Sequence, residues 1–504
     1  MRAERSDRST SPWPVWFGLF VVFLSLYAPT ANRGVQWQDS GTHILRVISG
    51  ELVNPRGLAL SHPLHYWLGR AAIGPGLIEP SFAITLVSSL FGAITAANVF
   101  GCVRSLTRST AAGVFAAVSL GLAHTFWKMS TITEAYTVST ALLSAECWCL
   151  AEAGRSRRGA AIVALALFNG LGLANHDLAL LTTPVVAGVI YVWTRERHGR
   201  GRIAAIALGA WILGSLPFTG LVAREMIRTG EIASTLRSAL FGNAFAEQVL
   251  AIAPGKRQLL IAVAFFALNF PSLLLPLAGR GIWMARQCHI PALVRRGLTA
   301  SLLLHFLFAV RYPVVDQHTF FTATYLLLTV FGGVGIASLS DPTSDRRRSR
   351  WPVIAWALLL LTPVLYAFVP AAARRANVLR GVERHKPYRD DYVNLFAPWS
   401  VGDDSAERMS RHAAALAGDD GLIVVEDPMA EAPVRYRLAR NGAGRVEVVR
   451  PSHRDRIEAA ITDRRPVVLV PQDVNAPALV SPADRNWRRE GDLYVLDPSR
   501  RVSE

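Results

Sequence analysis

The stretch PVWFGLFVVFLSLYAPTANRGVQWQDSGTHILRVISG, residues 14–50, divides in two. Its first part, residues 14–30, carries no charge and is apolar on every side, which suits a membrane-crossing helix rather than the one-faced helix of a soluble protein. Its second part presents a carboxylate, Asp39, soon after the apolar run ends, and then turns amphipathic through THILRVIS. Ionised groups at membrane depth are costly and mark function, whereas a carboxylate in the headgroup layer costs little. A lone Asp does not decide between the two.

The same all-round apolar pattern recurs along the chain. Of 504 residues 51% are apolar, with a mean hydropathy of +0.28. The apolar residues gather in blocks near 14–30, 82–102, 111–127, 133–152, 159–174, 178–193, 203–223, 258–279, 298–311, 319–338 and 351–372. These blocks predict a mainly α, polytopic membrane bundle of about eleven spans. No small-residue cleavage site follows the first block, so it reads as a span and not as a signal peptide.

The net charge of +16 in a soluble protein would suggest nucleic acid. Here the basic residues fall between alternate blocks, in segments 1–12, 103–110, 153–158, 194–202, 280–297 and 339–350. By the positive-inside rule these are cytoplasmic, which expects an inner-membrane protein with its N-terminus inside and its C-terminus outside. The segments ANHD (174–177) and YPVVDQH (312–318), on the opposite side, carry no Lys or Arg. No nucleic-acid partner is expected. The four cysteines show neither a disulfide framework nor zinc-ligand spacing.

Residues 1–372 thus read as the membrane domain and 373–390 as a charged connector. Residues 391–504 read as a small extracytoplasmic α/β domain, because GLIVVEDP, RVEVVRP and RPVVLVPQD are short buried strands separated by helical patterns. That domain has no glycine-rich phosphate loop and no nucleophile elbow, so it reads as a binding or capping unit.

Polar residues at the outer ends of the spans are the candidates for chemistry: Asp39, His62, Lys128, Glu134, Tyr136, Asn175, His176 and Asp316. Each also has an ordinary explanation. Glu134 suits the positive end of a helix dipole, and Asp177 and Asp316 suit helix caps. Their weight lies in converging on one side of an apolar bundle. A flippase would more readily place charges near the midplane on both sides of its path, and Glu146 is the one clear mid-span carboxylate. A scaffold would need fewer spans.

WQDSGTHILRVISG, HTFWKMSTITEAYTVSTAL, GLGLANHDLALLTTP and VVDQHTFFTATYLLL, with YRDDYVNLFAPW in the tail, resemble in this order segments of a bacterial family of GT-C-type membrane glycosyltransferases. That family is related to a eukaryotic transmembrane protein O-mannosyltransferase. The resemblance implies a GT-C-like bundle with a large first outer loop. It also implies sugar transfer from a polyprenyl-phosphate donor to a protein or glycan acceptor at the outer face, with no cofactor and no metal assigned. Asp39 matches the acidic position of the first loop, Glu134 and Tyr136 match an E-x-Y element, and Asn175 and His176 match an NH element. In one departure, Thr42 stands where the family often carries a second carboxylate. On this reading Asp39 is the base, Lys128, His176 and Arg33 or Arg311 are the cations or donors for the phosphate, and Glu134 and Asp316 position the sugar. A glycolipid or cell-wall glycan transferase, or a transporter of lipid-linked sugar, stands as the alternative.

Overall fold

The computed structural model describes residues 11–156, 158–196, 201–339, 350–442, 444–480 and 486–496. The basic segments at 1–10 and 340–349, and part of that at 194–202, lie outside the described residues.

Every apolar block of the sequence is helical, and the chain is a mainly α bundle with a small sheet near its C-terminus. Among the described residues, five helices are long and apolar enough to cross a membrane, and up to seven spans result if each of two bent pairs counts as one. This falls below the eleven expected. Gly159–Asn175 and Thr322–Ala337 are apolar but short, Thr183–Arg195 has only 13 residues, and Tyr136–Ser156 carries Glu146, Glu152 and Arg155.

Two blocks that read as continuous spans are broken. Thr110–Gly121 and His124–Thr131 meet at 66°, and Lys256–Asn269 and Leu274–Met284 meet at 95°. A break inside a membrane frees backbone groups that lipid cannot satisfy. The two breaks solve this jointly. The Asn269 side chain accepts from the Thr125 backbone N–H at 2.8 Å and donates to the Thr125 hydroxyl at 2.9 Å. Pro271, inside the second break, has no N–H to offer. Elsewhere the bundle closes by direct backbone contact: a Cβ on Gly281 would lie 1.8 Å from the Phe331 carbonyl oxygen, and one on Gly335 would lie 2.0 Å from that of Leu277. Small residues of this kind let membrane helices approach where larger ones cannot.

The C-terminal unit is α/β, as expected. Its sheet runs in the order β2-β1-β3-β5-β4, with β1 Leu422–Val425, β2 Glu447–Val449, β3 Val467–Val470, β4 Trp487–Glu490 and β5 Leu493–Leu496. β2, β1 and β3 are parallel, and β5 and β4 add as an antiparallel edge. All four residues of β1 and of β3 are buried, the pattern of a parallel strand covered on both faces.

This unit is clamped onto the first loop of the membrane part. The helix Pro428–Asn441 packs along Gln38–Ser49, close enough that a Cβ on Gly41 would touch the Pro433 ring at 3.2 Å. Trp37 donates from Nε1 to the Ser405 hydroxyl at 2.8 Å. Lys386 lies over the Trp37 ring and pairs with Asp427 at 2.5 Å. Asn32 donates to the Asp403 carbonyl at 2.7 Å, and Tyr436 bonds Glu79. The segment carrying Asp39 is therefore held from both sides.

Candidate functional site

A cavity of about 460 Å³ lies where the first loop, the ends of several bundle helices and the C-terminal unit meet. Asp39, His62, Glu134, Tyr136, His176 and Asp316 all line it. Six of the eight residues singled out from the sequence thus come together from five separate segments.

Asp39 sits in the first turn of Gln38–Ser49. Gln38, just before it, has φ +60°, a region that non-glycine residues rarely adopt and that tends to occur at functional positions. The Asp39 side chain is exposed and opens onto the cavity. Burial raises its carboxyl above the usual range, and the nearby Arg56 guanidinium partly offsets this.

Glu134 lies in the short link between His124–Thr131 and Tyr136–Ser156. Ser40 donates to it at 2.9 Å, and His43 Nε2 lies 3.8 Å away. Burial pushes its carboxyl well above the ordinary value, helped by the charge of Asp39 and opposed by the Ser40 bond. Asp316 is raised to about 6, by burial first and by Asp39 second. Asp39, Glu134 and Asp316 thus share one cavity, whose lining also includes Asp177 and Glu431, and the three resist joint ionisation.

The histidines are neutral in this setting. Burial lowers His62 to about 4, and it lowers His176 well below its usual value. Their tautomers follow from their bonds. His62 Nδ1 donates to the Asn175 carbonyl at 2.7 Å, which leaves Nε2 as an acceptor. His176 Nδ1 accepts from the Leu178 backbone N–H at 3.2 Å, which leaves Nε2–H as a donor. That bond also makes His176, and not Asp177, the cap of the short helix Asp177–Leu181. Both Asp177 carboxyl oxygens are buried without a partner among the described residues. Among those residues, no group of three or more His, Cys, Asp or Glu is placed to hold a metal ion.

Two of the sequence candidates do not line the cavity. Asn175 supports it from behind, donating to the Ala135 carbonyl at 2.9 Å and the Ser139 hydroxyl at 2.7 Å while its own carbonyl fixes His62. Lys128 lies instead near Asp403 and Arg389 of the chain leading to the C-terminal unit. Arg33 also lies away from the cavity, over the Phe82 ring. Arg311 lines it, but one of its nitrogens is tied to the carbonyls of Val249 and Ala251. Two cations of the first loop that the sequence reading did not single out, Arg46 and Arg56, also line the cavity. The Arg56 side chain makes no hydrogen bond or ion pair with the described residues, whereas Arg46 donates to the Val53 carbonyl at 2.6 Å. Thr42, the departure from the family pattern, lines the cavity and turns its hydroxyl back to the Gln38 carbonyl at 3.3 Å.

Residues 62–199 match the model of the protein O-mannosyl-transferase TMEM260 N-terminal domain. The match takes in His62, Lys128, Glu134, Tyr136, Asn175 and His176, and leaves Asp39, Asp316 and the C-terminal unit outside it. The fold as a whole is similar to ArnT from Cupriavidus metallidurans bound to undecaprenyl phosphate, at 14% identity and a TM-score of 0.54, covering 97% of this chain and 98% of that one. The apo form of the same protein gives 15% identity and the same TM-score over 96% and 98%. The oligosaccharyltransferase of Archaeoglobus fulgidus, in complex with Zn and sulfate, is similar at 11% identity and a TM-score of 0.51, over 92% of this chain and 68% of that one. No curated protein matches the chain. The resemblance read from the sequence is borne out in that a stretch of the chain matches the O-mannosyl-transferase family model and the fold is that of the solved membrane glycosyltransferases.

Proposed function

We propose that this protein moves a sugar, with mannose the first candidate, from a polyprenyl-phosphate donor to a hydroxyl acceptor, in the first instance a protein Ser or Thr. The reaction takes place at the outer face of the inner membrane, with the N-terminus in the cytoplasm and the C-terminal domain outside. Residues 1–372 form the catalytic membrane unit, 373–390 the connector and 391–504 the outer domain. One observation carries this reading: a free carboxyl, Asp39, and a free guanidinium, Arg56, share a cavity that is apolar along one side, through Leu180, Leu181, Leu240, Phe241 and Phe308. The ArnT structure bound to undecaprenyl phosphate lends support to the lipid-linked donor.

The chemistry follows from what such a donor lacks. It already carries its leaving group, so the protein must supply a base, a site for the developing phosphate charge and a groove for the lipid. Asp39 takes the proton of the acceptor hydroxyl as that oxygen bonds to the anomeric carbon, and a carboxyl raised above its usual value is the better base for it. The bond from that carbon to the phosphate oxygen breaks, and the electron pair leaves with the phosphate. Arg56 and the His176 Nε2–H meet the charge building there. Glu134 and Asp316 hold hydroxyls of the donor sugar, and His62 accepts through Nε2. Tyr136 closes the floor against His176, with ring centroids 5.4 Å apart. Asn175 fixes the orientation of His62. Lys128 is left out of this scheme, and Arg56 takes its place.

The test uses purified protein in lipid with radiolabelled polyprenyl-phosphate mannose, glucose and arabinose, and membrane extract as acceptor. Release of free polyprenyl phosphate from one donor, lost in Asp39→Asn, is the expected result. Absence of release with every donor would overturn the reading and favour a transporter of lipid-linked sugar.

A further inference from the structure

The cavity has two unlike ends. Its apolar side is lined by Leu180, Leu181, Leu240, Phe241 and Phe308, but its other end is walled by the C-terminal unit through Pro428, Glu431, Ala432, Arg435 and Arg450. Four of these come from the start of the helix Pro428–Asn441, and Arg450 follows the edge strand β2. The Glu431 carboxylate is bracketed by both arginines. Arg435 Nε donates to Oε1 at 2.9 Å, and Arg450 Nη2 donates to Oε2 at 2.9 Å. Arg435 Nη2 further donates to the Val448 carbonyl at 3.2 Å. Two guanidinium groups share one carboxylate, so the cluster has one positive charge left over. Each arginine side chain is 46% exposed, and each keeps Nη1 free of any partner among the described residues.

Resting on the transferase reading above, we propose that this end is the acceptor port and that it selects an acidic peptide, one whose Ser or Thr lies beside Asp or Glu. Guanidinium groups with spare N–H donors recognise carboxylates through charge-assisted, often bidentate hydrogen bonds. The occupant is a peptide and not a lipid-tailed glycan because of what the port lacks. Pro428 and Ala432 are its only apolar lining residues, whereas an acyl chain needs an apolar groove, and that groove lies at the other end. The donor lipid and the acceptor therefore enter from opposite sides and meet at Asp39. The port also gives the C-terminal domain its role: it holds the first loop in place and supplies the acceptor-binding wall.

The experiment uses full-length protein in nanodiscs of neutral lipid and three fluorescent peptides, each with one Thr, flanked by Asp, by Ala or by Lys. Binding is read by anisotropy without donor, so the result does not depend on turnover. Wild type is expected to bind the acidic peptide roughly tenfold more tightly than the neutral one, with the margin shrinking in high salt. Arg435→Gln with Arg450→Gln is expected to erase the margin. Glu431→Gln, which leaves both guanidinium groups without their shared carboxylate, is expected to widen it, and this opposite sign guards against misreading a variant that merely folds poorly. Equal binding of all three peptides by wild type would overturn the proposal. So would a margin that survives the double substitution, or preferential capture of an anionic glycolipid offered in the nanodisc. Loss of polyprenyl-phosphate release with this binding intact would sink the transferase reading alone. Where transfer is measured, the double variant is expected to raise KM for the acidic peptide and to leave kcat unchanged.

Discussion

Two oppositely charged pairs flank the segment Trp37–Asp39, and they differ in how far the protein satisfies them. On one side, Lys386 is 3% exposed, pairs with Asp427 at 2.5 Å and lies over the Trp37 ring. The other oxygen of Asp427 accepts from the Met429 N–H at 2.9 Å, so that carboxylate is used twice. On the other side, Asp39 and Arg56 feel each other's charge, yet neither side chain makes a hydrogen bond or ion pair with the described residues. Closed charges hold a structure together. Open charges, kept near each other in a cavity, are placed for a ligand, because an unmatched ionised group is costly unless something completes it.

The contrast breaks most readily at Asp39. Asp39→Asn keeps the shape and removes the base, so transfer is expected to fall by about 10²–10⁴ while the melting temperature holds. Full activity in this variant would mean that the open carboxylate is only a solvated helix end. Arg56→Ala is expected to cost roughly 10²-fold in kcat, again without loss of stability, since its side chain has nothing to lose in the free protein. Lys386→Met is the mirror image. It leaves Asp427 buried and unpaired, which costs about 3–5 kcal/mol and is read as a lowered melting temperature. An unchanged melting temperature would show that the two pairs do not differ as described.

The extent to which the sequence foretold this arrangement follows the kind of signal involved. Apolar blocks announce helices, and every block is helical, although some are broken into two. The breaks at 122–123 and 270–273 were not read from the sequence because the apolar pattern resumes on each side of them; Pro271 was the clearest hint. Asp39, Glu134, His176 and Asp316 were legible as polar residues at the ends of apolar runs. Lys128 had the same signature but does not line the cavity, because such a position says nothing about which side of a short helix the chain will turn. Arg46 and Arg56 looked like ordinary loop basics. Glu431, Arg435 and Arg450 could not have been placed at all: bringing Pro433 onto Gly41 joins segments nearly four hundred residues apart, and no local periodicity encodes that.

Acidity offers a finer probe of the open side. Asp316 titrates at about 6, above its ordinary value, because burial and then the charge of Asp39 disfavour its ionised form. Folding therefore favours the protonated group. Its cost to stability is full above pH 6 and is relieved as pH falls toward the unfolded value near 4. Activity runs the other way if ionised Asp316 holds a sugar hydroxyl, so kcat/KM is expected to drop as pH falls through about 6. In Asp316→Asn that limb is expected to vanish, along with its share of the pH dependence of the melting temperature. A limb that persists unchanged would assign it to another group.

The smallest effect is expected at Thr42, where the sequence departs from the pattern of the family it resembles. A second carboxylate there would stand one helical turn from Asp39, on the same face of Gln38–Ser49. In this chain the cavity already holds Glu134 and Asp316, both pushed upward by burial first and then by the charge of Asp39. A further negative group would raise Asp39 again and crowd the phosphate's own charge. The Thr42 hydroxyl is instead turned onto the Gln38 carbonyl, where it spends its hydrogen bond inside the helix. Thr42→Ala is thus expected to leave transfer within about threefold, since the loss of one weak local bond costs little. Thr42→Glu is expected to lower transfer more than Thr42→Ala does. The reverse order, with the glutamate variant faster than wild type, would mean that Glu134 and Asp316 do not do the work of the family's second carboxylate, and that this chain is a slow enzyme for want of one.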